Sequence, residues 1–138
     1  MQETYSFKDY TATVMGRTIV GLDSLDYDHE IKVEVHYGKG QEPIGYGEGE
    51  LKGSGKMSVL LEEYEKLVLV ATAVGGDPLK LPPFPIVGLL AKSNGKKMKE
   101  VLPLVKLKKV GQKRKVSDTK FLVDIDFELL AMPKIIPL

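Results

Sequence analysis

From residue 30 to 37 apolar and polar side chains alternate without a break, Ile31, Val33, Val35 and Tyr37 against Glu30, Lys32, Glu34 and His36. A period of two with one wet face predicts a half-buried strand. The pattern returns over 121–129, where Phe121, Val123, Ile125, Phe127 and Leu129 oppose Asp124, Asp126 and Glu128, and predicts a second strand. Nearer the start, 11–14 and 17–22 flank Met15-Gly16 as the β-branched arms of a tight hairpin. A strand over 24–27 either stands alone or runs on into the Ile31 strand. Residues 44–51 and 56–61 bracket Lys52-Gly53-Ser54-Gly55, which predicts a hairpin with a broad glycine-rich bend. Two further strands, 86–91 and 101–110, are joined by a turn at Ser93-Asn94-Gly95-Lys96, and Pro103 places the second on an edge or at a bulge.

The period changes once. Leu61, Tyr64, Leu67, Val68, Ala71 and Val74 recur at intervals of three and four, and Glu62, Glu63 and Glu65 occupy the first turn, where the helix dipole favours carboxylates. This predicts one helix over about 61–74, ended by Gly75-Gly76 and closed by Asp77-Pro78. The β-branched Val68, Val70 and Thr72 keep a strand as the alternative. Residues 79–85 contain Pro82, Pro83 and Pro85 and are expected to cross the domain in extended form. The apolar, proline-punctuated tail 133–138 is expected to pack on the surface. The sum is an α+β chain, mostly β: an antiparallel β-sandwich or small barrel with one helix and a long glycine-rich loop, in a single domain of residues 1–138.

Composition narrows the chemistry. With 43% of 138 residues hydrophobic, one domain can bury a sizeable core. The chain has no cysteine, which excludes disulfides, thiolate zinc sites and a thiol nucleophile. His29 and His36 are seven residues apart, an odd spacing that puts them on opposite faces of a strand, so no metal site is expected. Residues 1–10 carry Glu3 and Asp9 and lack the basic start and apolar stretch of a signal peptide, so residence in the cytoplasm is expected. No apolar run approaches the roughly 20 residues that span a bilayer, and no membrane association is expected.

Paired carboxylates occur at Asp124 and Asp126 and at Glu30 and Glu34, but alternating acids on a half-wet strand read as its solvent side. The stretch from Gly45 to Lys56 fails as a phosphate loop, because Glu50 stands where the first glycine is needed and Met57 follows Lys56 in place of Ser or Thr. No helix opens behind a glycine triplet, which removes the dinucleotide reading. Neither enzymatic activity nor a cofactor is expected.

Charge is segregated along the chain although its sum is +1. Residues 96–120 hold ten basic side chains and two acidic ones, a local balance of +8, which leaves −7 for the rest. A solvated hairpin tip over 111–118 accounts for part of this. A phosphate-binding surface is the second account, weakened because no aromatic side chain lies between 96 and 120 to stack on a base. The third is an acidic face on another copy of the same chain, met head to tail.

The segment Tyr37-Gly38-Lys39-Gly40-Gln41-Glu42-Pro43-Ile44-Gly45-Tyr46-Gly47-Glu48-Gly49-Glu50 has five glycines in fourteen residues. An irregular hairpin loop explains it, and so does an arm that another backbone approaches closely. In order, the Gly16 hairpin, Leu25-Asp26-Tyr27, this glycine segment, Ser54-Gly55-Lys56-Met57-Ser58 and Leu61-Glu62-Glu63-Tyr64-Glu65-Lys66-Leu67 resemble the tail tube proteins of bacteriophages and prophage-derived particles. The motifs cover residues 16–67, and the remainder agrees in element order and length.

The resemblance implies a structural subunit. Six copies would close into a ring, and rings would stack head to tail around a channel through which viral DNA leaves without specific binding. Tape-measure, tail-terminator and baseplate proteins would be its partners. It would sit in the virion tail after assembly in the host bacterial cytoplasm. Tyr37, Gly38, Gly40, Pro43, Gly45, Tyr46, Gly47 and Gly49 would form the loop that reaches a neighbouring subunit. The strands 30–37 and 56–61 would be candidates for the channel wall. Glu30, Glu34 and Glu48 would make an acidic face there, which lets DNA slide, and Lys106, Lys108, Lys113, Arg114 and Lys115 would meet the next ring. The alternatives are a tube-like, baseplate or hub component of a secretion or contractile particle, and a basic nucleic-acid-binding module.

Overall fold

A computed structural model describes residues 10–38, 40, 43–92 and 95–138. Glu3, Asp9, Lys39, Gln41, Glu42, Ser93 and Asn94, and the side chains of Pro43, Ile44 and Tyr46, lie outside the described set. The strands are β1 (Tyr10–Val14), β2 (Arg17–Ile19), β3 (Leu22–Tyr37), β4 (Pro43–Leu60), β5 (Phe84–Ala91), β6 (Lys97–Lys113), β7 (Leu122–Leu129) and β8 (Lys134–Pro137). One helix, α1 (Leu61–Val70), runs into a 3-10 turn at Ala71–Val74, and a second 3-10 turn covers Pro78–Lys80. Gly75 ends the first turn at φ 101, a left-handed conformation costly for any residue with a Cβ.

All eight strands belong to one antiparallel sheet of order β2-β1-β5-β6-β7-β4-β3, with β8 on β6. β6 is its axis. Val105 pairs with Phe84 of β5 on one side and Leu129 of β7 on the other, and Val101 pairs with Val87 of β5 and Lys134 of β8. β7 and β8 therefore follow one another along the same side of β6, interrupted at Pro133. The tail expected to pack on the surface is in fact a sheet strand. Pro103 sits between the β7-paired and β8-paired parts of β6, where the β5 register also shifts, so its missing N–H leaves no ladder bond open.

The sheet curls without closing into a barrel. Val14 and Ile19 from one end of the strand order share a core cluster with Met57 and Val59 from near the other, and Leu67 of α1 and Ala71 of the 3-10 turn that follows it also belong to the cluster. Across the curl the Tyr10 hydroxyl of β1 donates to Glu100 Oε2 of β6 at 3.0 Å, and the charge of the same carboxylate acts on the Tyr27 phenol of β3. Burial and then the adjacent Glu100 charge raise both phenols, Tyr27 to about 12 from 10.0 and Tyr10 further still. Each phenol is thus held neutral in the fold at pH values where the unfolded chain would ionise it. This contribution to stability is intact below pH 10 and is lost as pH rises through about 12. Thermal melts are expected to be flat up to about pH 9 and to fall steeply from pH 10 to 12. In a Tyr10→Phe, Tyr27→Phe variant that slope should flatten, although the melting temperature at pH 7 drops.

Two expectations are corrected by β4. No bend occurs at Lys52-Gly53-Ser54-Gly55, and from Pro43 onward the glycine-rich stretch is strand and not loop, since Pro43–Leu60 is one strand paired with β3 from Leu22↔Val59 to Tyr37↔Pro43. The cause lies across the sheet. A Cβ on Gly55 would stand 2.5 Å from Phe127 Cζ and 2.6 Å from the Asp26 carbonyl oxygen, and one on Gly53 would stand 2.9 Å from Leu129 Cδ1. Glycine is present there to let large β7 side chains cross the strand. The 79–85 crossing is also shorter than expected, being taken up by the 3-10 turn and by β5, which begins at Phe84.

Candidate functional site

β3 and β4 outrun the sheet. β4 pairs with β7 only from Ser54↔Glu128 to Leu60↔Leu122, whereas its pairing with β3 continues through Gly53↔His29 to Pro43. Residues 29–37 and 43–53 thus form a two-stranded arm, which at about 3.4 Å per residue projects roughly 30 Å beyond the body. Both of its outer edges are unpaired among the described residues.

The two faces of the arm differ in kind. On β3 the odd-numbered side chains start as core, with Leu25 and Tyr27 packed against the cluster, and continue outward as Ile31, Val33, Val35 and Tyr37. There they are 43%, 52%, 45% and 60% exposed, and Leu51, opposite Ile31, is 40% exposed. The half-buried strand expected over 30–37 therefore buries neither face within the subunit. The alternation is real, but no layer among the described residues covers it.

The opposite face carries Glu30, Lys32, Glu34 and His36 of β3, with Gly47 opposite Glu34 and Gly45 opposite His36. Gly45, Gly47 and Gly49, two apart, strip side chains from this side of β4. What remains is an open concavity of about 560 Å³ bordered by Glu30, Lys32, Glu34, Glu48, Glu50 and Lys52. Of the expected acidic set, Glu30 and Glu34 share this face, while Glu48 lies opposite Val33 in the register and borders the concavity from beside a bulge. The face is not purely acidic, because Lys32 Nζ lies 3.3 Å from Glu34 Oε1 and Lys52 lies opposite Glu30. Gly38 and Gly40 fall between β3 and β4 in sequence, with Gly40 at φ 123.

The basic residues divide. Lys106, expected at a contact, is occupied within the fold, since its Nζ donates to the carbonyls of Leu79 at 2.8 Å and Leu81 at 2.6 Å and so ties β6 to the second 3-10 turn. Lys108 Nζ lies 3.3 Å from Glu128 Oε1. Lys113, Arg114 and Lys115 stand on the exposed β6–β7 tip, where the Lys115 N–H donates to Asp118 Oδ2 at 2.8 Å and the Asp118 N–H to the Lys115 carbonyl at 3.0 Å. Arg114 lies over the Phe121 ring, 5.5 Å from its centre, and hydrogen-bonds Gln112. The aromatic ring closest to the tip in sequence is therefore covered by a guanidinium.

Arm and tip leave the sheet at opposite ends. On β7 the arm departs beside Glu128 and the tip beside Leu122, a separation of roughly 20 Å at about 3.4 Å per residue. The carboxylates of β7 show no catalytic arrangement: Asp124 accepts a 2.5 Å hydrogen bond from Ser58 Oγ, and Asp126 lies opposite Lys56 and Lys109. Among the described residues no group of three His, Asp or Glu side chains could hold a metal, and no helix is long and apolar enough to cross a membrane.

The sequence matches no known family and no curated protein. The fold, however, is shared with solved structures along the whole chain. A chain of the sheath–tube complex of an extracellular contractile injection system, PVC in its extended state, superposes with a TM-score of 0.70 at 8% identity over 98% of this chain and 93% of that one. A chain of the anti-feeding prophage tube-terminating cap gives 0.72 at 9% identity over 100% and 94%. A chain of the PVC sheath/tube terminator gives 0.71 at 7% identity over 99% of both. At such identities what is shared is the fold, and it is one that occurs in tube, cap and terminator assemblies.

Proposed function

We propose that this chain is a structural subunit of a phage-tail-like tube, in which copies close into rings, six to a ring, and the rings stack head to tail around a channel. The observation that carries this reading is the arm. A two-stranded ribbon is marginal by itself in water, and this one exposes a continuous apolar stripe and, among the described residues, two unpaired edges. A neighbouring copy would cover the stripe and extend the sheet. The full-length likeness to tube-complex chains supports the same conclusion.

In this reading Tyr37, Pro43 and Tyr46 lie on the part of the arm that reaches the neighbour, and Lys113, Arg114 and Lys115 meet the next ring. Lys108 borders that contact, and Lys106 serves the subunit's own fold. The mixed charge around Glu30 and Glu34 suits a contact better than a bare channel wall. Tape-measure, terminator and baseplate proteins would be the partners, and assembly would take place in the bacterial cytoplasm. In a tail the cargo would be viral DNA, which passes without specific binding. A basic nucleic-acid-binding module is disfavoured because no free aromatic side chain accompanies the tip.

The likeness to the cap and terminator chains, as strong as that to the tube complex, favours one other role, a terminal ring that does not propagate. Negative-stain imaging of the purified chain separates the two. Long hollow filaments are expected for a tube subunit and single closed rings for a terminator. Sedimentation as a strict monomer from micromolar to millimolar concentration would overturn both.

A further inference from the structure

We propose that the charged face of the arm on one copy receives the Lys113-Arg114-Lys115 tip of another, so that the two projections of the subunit are the two halves of one head-to-tail contact. This rests on the self-assembly reading above and adds the pair of surfaces that meet. Position argues for it first. The arm and the tip leave opposite ends of the sheet, so joining them by translation leaves a free arm at one end and a free tip at the other, and the contact repeats without closing on itself.

Charge and shape agree. Glu30, Glu34, Glu48 and Glu50 border the concavity with only Lys32 and Lys52, and the Lys32–Glu34 pair cancels within it, so the lining keeps an acidic excess. Lys113 and Lys115 make no ion pair among the described residues, and Arg114 has only the neutral Gln112 and Phe121 beside it. Nothing lies within 4 Å of where a Cβ on Gly45 would stand, and only the His36 ring and the Lys32 stem lean over Gly47 and Gly49, so a narrow turn can approach the backbone from the Gly45 end. The tip is such a turn, held in shape by the two Lys115–Asp118 hydrogen bonds, and it would lose little freedom on docking. At its apex Val116 is fully exposed, an apolar side chain with nothing over it in the isolated subunit.

Because the chain has no cysteine, a disulfide can report this contact without background. Val116→Cys and Glu50→Cys would be made singly and together, all three proteins oxidised, and the products separated without reductant. Arm and tip of one copy are too far apart to bridge, because a disulfide needs Cα atoms within about 7 Å. The double variant is expected to give a ladder of trimers and larger multimers, and each single variant to stop at a dimer. Reversing the tip with Lys113→Glu and Lys115→Glu in the double variant should abolish the ladder, while Glu34→Lys added to that background should restore part of it. A double variant that melts like the unmodified chain yet stops at dimers overturns the proposal. Filaments without a ladder would remove this contact and leave the tube reading intact; a ladder without rings or filaments would do the reverse.

Discussion

Gly55→Ala is expected to lower the melting temperature by about 10 °C, a large loss for the addition of one methyl group. The new Cβ would fall 2.5 Å from Phe127 Cζ and 2.6 Å from the Asp26 carbonyl oxygen. Phe127 is fully buried among β6, β7 and β4 side chains, and the carbonyl belongs to the β3 ladder, so neither can retreat freely. Overpacking a filled core costs about 3 kcal/mol, and at roughly 3–4 °C per kcal/mol for a chain of this size that gives the expected shift. Gly45→Ala is the control. Its Cβ would meet nothing within 4 Å, and the melt should stay within about 2 °C of the parent. Phe127→Leu placed on Gly55→Ala should recover part of the loss although Phe127→Leu alone is destabilising, a non-additivity that only direct contact produces. Equal melting temperatures for Gly55→Ala and Gly45→Ala would mean that Phe127 does not cross β4 here.

The second large effect falls on assembly. Val33→Lys with Val35→Lys is expected to abolish rings and filaments while leaving the subunit folded. The two valines are 52% and 45% exposed, so the subunit forfeits little burial, and the ammonium introduced by Val33→Lys would gain Glu48 as a cross-strand partner. Covered by a neighbour, each valine would contribute about 1.5 kcal/mol or more, so losing both reduces association by more than a hundredfold per contact. Sedimentation should show monomer where the parent assembles, with an unchanged melt. Val35→Ile, which keeps the stripe, should assemble normally. If the lysine variant still forms rings, the apolar face of the arm is not what joins the copies.

Most of the fold is readable from residue patterns. The 121–129 alternation became β7 with Val123, Ile125, Phe127 and Leu129 buried, and the change to spacings of three and four became α1 and its 3-10 extension, ended at Gly75. Pro103 sits at a bulge, one of the two positions expected for it. Glycine is not punctuation in this chain. Gly45, Gly47 and Gly49 are two apart, which is itself a strand period, and Gly53 and Gly55 are conditioned by Phe127 and Leu129, more than seventy residues later in the chain. Contacts at that separation leave no local signature. The arm was half legible: its alternation showed in the sequence, but alternation cannot distinguish an apolar face covered by the same chain from one left for another. The basic tip was visible as a charge run, and the removal of Lys106 from it was not, because its partners are carbonyl groups of a turn far away in sequence.

The marginal arm also bears on timing. A two-stranded ribbon with an exposed apolar face is weakly held by itself, and in the proposed tube its full stability would arrive only when a neighbour covers that face. Two free subunits that meet must both order their arms for a single shared contact, whereas a subunit arriving at an existing end meets a surface already set. Growth should therefore outpace initiation, with a lag in dilute solution that preformed ends remove. In a particle of defined length, that delay would leave the choice of where a tube begins to whatever template presents the first ring.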